Sequence, residues 1–337
     1  MKAVLLINLG TPDNPGTAAV RKYLRSFLTD PRVIDTSPLS RFLLVYGAIL
    51  PFRSSKSAHQ YQKIWSENGS PLLYHSNKLK NKVQDELGDQ YLVELAMRYQ
   101  NPSLELALEK IRAAQPEEII VLPLYPQYAS SSTGSSLEKV LDILKKWEVI
   151  PSVRIISTFY DNPDFVRCFA EEAKKFNPNE YDHILFSFHG LPERQIKKAS
   201  EHYGSNSCFL GNCCEEINSK NKFCYRANCF KTAHLIEEYL QLPKEKYTIC
   251  FQSRLGRSEW IKPYTDEVIK QKARQGHKKL LVLSPAFVAD CLETIHEIST
   301  EYQQLFQKHG GTTLDLVPSL NATAPWVQSI CKLLKVN

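Results

Sequence analysis

Short apolar runs that end on turn residues, separated by longer amphipathic stretches, constrain this chain more than any other feature. Such runs occupy 3–8, 91–97, 118–124, 153–157, 183–187, 247–252, 279–284 and 313–317. Helical patterns lie between them, among them 104–114, 136–146, 165–175, 233–240 and 291–307. This alternation predicts βαβ units, and hence parallel sheets covered by helices. The pattern also recurs. "LLINLGTP" (5–12) and "ILFSFHGLP" (184–192) each run into Gly-x-Pro, while "IIVLPLYPQY" (119–128) and "LLVLSPAFVAD" (280–290) each run into a loop with Pro and an aromatic. For 337 residues the expectation is an α/β protein of two similar doubly wound domains, 1–160 and 161–337, each with a mainly parallel sheet flanked by helices. Ligands of such folds sit outside the carboxyl ends of the strands, so those four loops are expected to meet at one cleft.

The net charge of +6 is spread along the chain, with no Lys/Arg block of the kind a nucleic-acid binder carries. It suits an anionic small molecule or an anionic membrane surface. No apolar stretch reaches the ~18–20 residues of a membrane span. The opening "MKAVLLINLGTPDNPG" reads as a buried strand rather than a signal segment. The expectation is a cytoplasmic protein, possessing reduced thiols. Segment 37–62 interrupts the first domain, with apolar residues 42–52 flanked by Arg41, Arg53 and Lys56. It reads either as a buried helix or as an apolar lip lying on a membrane or over a greasy ligand.

His189 follows a buried run directly, in the ligand-facing position of an α/β fold. An imidazole there can accept a proton near neutrality, or serve only as a structural hydrogen-bonder. Glu293, Glu297 and Glu301 recur at i, i+4 and i+8 with no Lys or Arg among them. They form a solvated acidic face or a row that conducts or holds a divalent cation. Asp290 stands near the helix start, where a carboxylate is favoured. "YPQYASSSTGSSLEKV" (125–140) has no Gly-Lys-Ser/Thr ending and reads as a polar turn opening a helix. Arg254 and Arg257 can pair ligand carboxylates, and Trp260 offers a flat apolar wall. Together these point to a large, planar, acid-bearing ligand.

Five of nine cysteines crowd into "CFLGNCCEEINSKNKFCYRANC" (208–229), spaced C-x4-C-C-x9-C-x4-C. No C-x2-C zinc knuckle is present. An iron–sulfur cluster needs four thiolates and tolerates varied spacing; zinc and redox-active thiols are the other readings.

Seven stretches, "LLINLGTPD", "GSPL", "AMRYQNPS", "LYPQYASSSTGSS", "SFHGLP", "FQSRLGRSEWIKPYTDE" and "FVADCLET", together closely resemble the ferrochelatase family, in order and across nearly the whole chain. The resemblance implies the chelatase fold, insertion of Fe2+ into protoporphyrin as the last step of haem synthesis, and no organic cofactor. It implies His189 as the essential active-site histidine, accepting pyrrole protons or receiving the metal. Glu293 is its acidic partner, with Glu297 and Glu301 on the acidic face leading from it. Arg98, Tyr99 and Asp290 join the substrate-binding set, with Ser135 and Ser136 as propionate contacts and Trp260 as a pocket wall. Cys291 stands where some animal members have His, so that residue's role does not transfer. Segment 37–62 corresponds to the apolar lip, which favours peripheral contact with the cytoplasmic membrane. Cluster-free members carry cysteines in the contexts of Cys229 and Cys291. The extra insertion, 205–224, then supplies Cys208, Cys213, Cys214 and Cys224 for a 2Fe–2S cluster, with Cys229 as an alternate. Members that use C-terminal cysteines differ: here there is only Cys331 near that end, and Ser130 stands at the internal ligand position. Open alternatives are coproporphyrin as substrate, another tetrapyrrole chelatase, or a haem-binding or iron-sensing protein. Oligomeric state is not legible.

Overall fold

The computed structural model describes all residues except 202–207, 255, 257, 336 and 337. They form two compact units, Met1–Tyr125 with Ala129–Thr158 and Asn321–Asn337, and Pro126–Tyr128 with Phe159–Leu320.

All eight expected strands form. In the first unit they are β1 (Lys2–Gly10), β2 (Tyr91–Tyr99), β3 (Glu118–Pro123) and β4 (Ser152–Ile155), ordered β2-β1-β3-β4. In the second they are β5 (His183–His189), β6 (Tyr247–Gln252), β7 (Lys279–Leu283) and β8 (Thr313–Leu316), ordered β6-β5-β7-β8. Every ladder is parallel, and the two sheets share one topology. The repeat read in the sequence is therefore a repeat of βαβ architecture.

The central strands carry continuous apolar runs because helices cover both faces. Ala3, Val4, Leu5, Leu6 and Ile7 of β1 are fully buried, as are Ile184, Leu185 and Phe186 of β5. Each large side chain so buried contributes roughly 1.5–3 kcal/mol. On one face of the first sheet, Leu5 and Ile7 pack with Leu108 and Ile111 of the Leu104–Ala113 helix and Val140 of the Ser135–Leu144 helix. On one face of the second, Leu185 and Val282 pack with Ile269, Ile298 and Phe306.

The glycine of each Gly-x-Pro has a steric reason. Gly10 sits at φ +119°, and a Cβ there would lie 2.0 Å from the Tyr99 carbonyl oxygen. A Cβ on Gly190 would lie 2.8 Å from the Gln252 carbonyl oxygen. In both units the central strand thus ends pressed against its neighbour, which only glycine permits.

The C-terminal helix, Ala324–Lys335, belongs to the first unit and packs on the Pro71–Leu87 helix. Its apolar stripe includes Trp326, Ile330 and Leu334, all nearly fully buried. Lys82 Nζ donates to the Ala322 carbonyl at 2.7 Å beside it.

Segment 37–62 forms the Pro38–Phe42 helix, a π-helical stretch Leu43–Ile49, and the start of the Leu50–Ile64 helix. Val45 and Leu50 anchor it inwardly, whereas Leu39, Phe42, Leu43 and Phe52 are more than half exposed. Of the two readings, a buried helix is not what forms. Among the described residues, no helix is long and apolar enough to cross a membrane.

Candidate active site

In the second unit the candidate residues gather where β5 and β6 end. His189 is the last residue of β5 and pairs in register with Gln252, the last of β6. Its Nδ1 lies 2.6 Å from the Gly190 carbonyl oxygen. A carbonyl can only accept, so Nδ1 carries the proton and, in the neutral ring, Nε2 carries the lone pair. The ring stands between Trp260 and Phe287, with centroids 6.4 and 6.3 Å away.

The segment expected as one helix over 291–307 is instead a π-helix, Glu293–Tyr302, followed by an α-helix, Gln303–Lys308. The backbone N–H of Gln303 reaches the Ile298 carbonyl, five residues back. A four-residue spacing of glutamates cannot distinguish the two windings. It slightly exceeds one 3.6-residue α turn and falls just short of the wider π turn.

The glutamates differ in surroundings. Glu297 Oε1 accepts from the Ser253 backbone N–H at 2.9 Å and from the Tyr302 hydroxyl at 2.8 Å, and Ser253 Oγ donates to Oε2. Gln252 Nε2 donates to the Glu293 carbonyl at 3.2 Å. Burial raises the proton affinity of Glu297 above the ordinary carboxylate range; the charge on His189 opposes the shift and that on Glu293 adds to it. His189, Glu293 and Glu297 are thus one electrostatic unit. Glu301 is exposed and pairs with buried His296 at 3.3 Å, so the outermost carboxylate does have a basic partner. Asp290 does not cap the helix, whose N-cap is Leu292. Its Oδ1 accepts from Thr294 Oγ1 at 3.1 Å and from the Ser319 N–H at 3.2 Å.

Arg254 pairs with Asp266 at 3.1 Å and Glu267 at 3.2 Å and lies over the Tyr264 ring at 4.3 Å. Its guanidinium is engaged within the protein rather than presented to a ligand carboxylate. Arg257 lies outside the described residues.

In the first unit, Arg98, Tyr99 and Ser135 meet at a residue the sequence reading missed, Asp30. Its Oδ2 accepts from Arg98 Nη2 at 2.7 Å, Tyr99 Oη at 2.8 Å and Ser135 Oγ at 2.6 Å. Arg98 Nε also donates to Ser135 Oγ at 2.7 Å. Burial and the Asp30 charge hold the Tyr99 hydroxyl in its protonated form. Ser136 Oγ lies 3.4 Å from the Tyr125 hydroxyl, and both serines are fully buried at the start of their helix. The preceding Ser130–Gly134 stretch is a π-helical turn, where the sequence pointed to a polar turn.

The thiols of the cysteine-rich segment neighbour one another. Cys213 and Cys214 Sγ atoms are 3.9 Å apart. Cys208 is close enough to Cys213, and Cys214 to Cys224, for each to act on the other's titration. The second pairing raises the Cys214 thiol pKa and lowers that of Cys224. Cys229 is fully buried one turn into the Tyr225–Leu240 helix, and burial pushes its thiol pKa well up. Among the described residues, no group of three or more His, Cys, Asp or Glu side chains is arranged to hold a metal ion. Residues 202–207, which include the first part of the expected insertion, lie outside the described residues.

Two four-stranded parallel sheets of identical order, with the candidate residues at strand ends, define the chelatase fold. The chain is similar to the solved structure of SirB from Bacillus subtilis with Fe3+, with a TM-score of 0.55 and 12% identity over 98% of this chain and 93% of that one. In sequence it is 46% identical to the ferrochelatase of Coxiella burnetii (strain Dugway 5J108-111), over 98% of this chain and 92% of the relative. It is also 46% identical to that of Legionella pneumophila (strain Paris), over 98% and 97%. The ferrochelatase family model matches residues 1–337. The chain belongs to the ferrochelatase family, lyases that insert iron into protoporphyrin.

Proposed function

We propose that this chain inserts Fe2+ into protoporphyrin IX, with His189 as proton acceptor and Glu293 as its acidic partner. The observation that carries the reading is the Nδ1 contact to the Gly190 carbonyl, which leaves the lone pair at Nε2. Metallation removes two pyrrole protons, so one base is not enough. Glu297, whose proton affinity burial raises, and Glu293 share an electrostatic field with His189. Glu293 and Glu297 are therefore the nearby carboxylates available to take the second proton. Glu301 is exposed while Glu293 and Glu297 are partly buried, which supports a carboxylate path carrying Fe2+ from water toward His189. Trp260 and Phe287 lie beside the imidazole and offer apolar surface to the substrate. Trp260 and Asp290 serve substrate binding in the second unit. In the first, Arg98 and Tyr99 contact substrate; Ser135 and Ser136, expected as propionate contacts, are fully buried, and Ser135 holds Arg98 and Asp30 in place instead.

For a 2Fe–2S cluster on Cys208, Cys213, Cys214 and Cys224 the support is the family-like insertion and the adjacency of Cys213 and Cys214 Sγ at 3.9 Å; among the described residues the four thiols do not converge on one point. Cys229 is fully buried within the following helix instead. Bound there, a cluster would supply a one-electron couple and tie the segment together. Exposed Leu39, Phe42, Leu43 and Phe52 beside Arg41, Arg53 and Lys56 suit peripheral contact with an anionic membrane surface on the cytoplasmic side. The same apolar surface favours protoporphyrin over the more carboxylated coproporphyrin.

An anaerobic assay with Fe2+ and each porphyrin tests the function. Haem formation from protoporphyrin is expected; turnover of coproporphyrin alone, or of neither, overturns the reading. Iron and acid-labile sulfide in equal amounts are expected in protein purified anaerobically. A colourless protein holding one zinc overturns the cluster.

A further inference from the structure

The residue after Cys224 is Tyr225, the first residue of the Tyr225–Leu240 helix and buried. Its hydroxyl donates to the His189 carbonyl oxygen at 2.8 Å. That carbonyl belongs to the His189–Gly190 peptide, whose N–H donates to the Gln252 carbonyl at 2.8 Å. The peptide plane is therefore held from both sides. The imidazole is tied in turn to the next carbonyl, through Nδ1 and Gly190 O. Rotation of the clamped peptide would redirect both that carbonyl and the ring.

The two clamps differ in origin. Gln252 continues the β5–β6 ladder and is as rigid as the sheet. Tyr225 is positioned by the cysteine-rich segment. The Cys224 N–H donates to the Asn221 carbonyl at 2.8 Å, and the Asn228 N–H donates to the Cys224 carbonyl at 2.9 Å. Arg226 Nη1 donates to the Gly211 carbonyl at 3.0 Å, beside Cys213 and Cys214 in the chain. Asn228 Nδ2 donates to the Lys222 carbonyl at 3.0 Å. The conformation of the thiol segment and the start of this helix are thus one connected arrangement, ending at the carbonyl of His189.

We propose that Tyr225 is a positioning residue through which the cysteine-rich segment sets the orientation of the His189 ring for proton acceptance. The proposal rests on His189 as the base, and does not depend on what the thiols hold. It gives the segment a role in the reaction although none of its thiols touches the reacting atoms.

Tyr225→Phe keeps the ring and removes the donor. The expected result is a roughly tenfold fall in kcat for Fe2+ insertion, with KM for porphyrin within about twofold, since a misdirected base slows chemistry without weakening binding. Iron and sulfide content should match the unmodified protein. Cys214→Ser perturbs the segment from its other end. Both variants should shift the His189 imidazole resonance, followed by nuclear magnetic resonance of histidine-labelled protein without substrate, in the same direction. The double variant should lose little more activity than the more damaging single one, because both changes act through one bond. Losses that multiply independently, or a Tyr225→Phe protein with unchanged kcat and an unmoved His189 resonance, overturn the proposal. His189→Ala separates the underlying reading. If it retains full activity, His189 is not the base and the proposed role in proton acceptance falls with it, while the resonance shifts still report whether Tyr225 orients the ring.

Discussion

Arg98 donates from Nη2 to Oδ2 of Asp30 at 2.7 Å, and that same oxygen accepts from Tyr99 and Ser135. The Asp30 side chain is only 3% exposed, so this carboxylate has exchanged water for four protein donors, the fourth being the Arg32 N–H to Oδ1 at 2.7 Å. Asp30→Ala leaves a partly buried guanidinium without its counter-ion. Loss of about 3 kcal/mol is expected in urea unfolding, together with weaker porphyrin binding. Asp30→Asn, which keeps the shape, should lose less. Stability of the alanine variant within about 1 kcal/mol of the original would remove Asp30 from this role.

His189→Ala should reduce Fe2+ insertion by about 100-fold or more while porphyrin binding changes only a few-fold. Fluorescence quenching of the porphyrin measures the binding, and haem absorbance measures the insertion.

Glu297→Gln keeps the volume and removes the middle carboxylate of the Glu293–Glu297–Glu301 row. A rise of roughly tenfold in KM for Fe2+ is expected, larger than the change in KM for porphyrin. Equal changes for both substrates would argue against a metal path at this carboxylate.

His183 is nearly fully buried at the opposite end of β5 from His189, 2.8 Å from Thr248 Oγ1. Burial and then the nearby Lys272 lower its pKa to about 3. The folded chain therefore refuses a proton that the unfolded chain takes up below its ordinary value of about 6.5. Stability from this residue is fully present above pH ~6.5 and is lost progressively as the pH falls toward 3, by at most about 1.4 kcal/mol per unit. Melting curves between pH 7 and 5 should show a shallower decline for His183→Gln than for the unmodified protein. Parallel declines would refute the assignment.

Phe42 and Phe52 are 56% and 79% exposed, so replacing both with Ser should leave the fold intact. Binding to phosphatidylglycerol vesicles, followed by co-flotation, should weaken at least about tenfold, since each ring removes apolar area from the contact. Unchanged flotation would place the membrane surface elsewhere.

Much of this architecture was legible because periodicity is local. The eight strands follow from apolar runs of strand length, and the twofold repeat from two rhyming series of motifs, whereas the order of strands within each sheet comes from the structure. His189 was legible as a strand-end residue, and Arg98 and Tyr99 through their resemblance to a family motif. The winding of Glu293–Tyr302 was not legible, because a four-residue spacing suits both helix types. The engagement of Arg254 by Asp266 and Glu267 follows from where the next helix lands, which no local pattern reports.

By itself, then, the sequence determined the α/β class, the twofold repeat, the position of the imidazole at a strand end and the crowding of thiols into one segment. Each of these is written in residue type and short-range spacing. Only tertiary structure decided that Asp30 gathers Arg98, Tyr99 and Ser135, that Glu297 is shielded by Ser253 and Tyr302, and that Tyr225 grips the His189 carbonyl. Asp30 and Arg98 are 68 positions apart, and Tyr225 and His189 are 36. Contacts across such separations arise when packing of the sheets and helices brings remote polar groups out of water, and burial then requires each of them to find a partner.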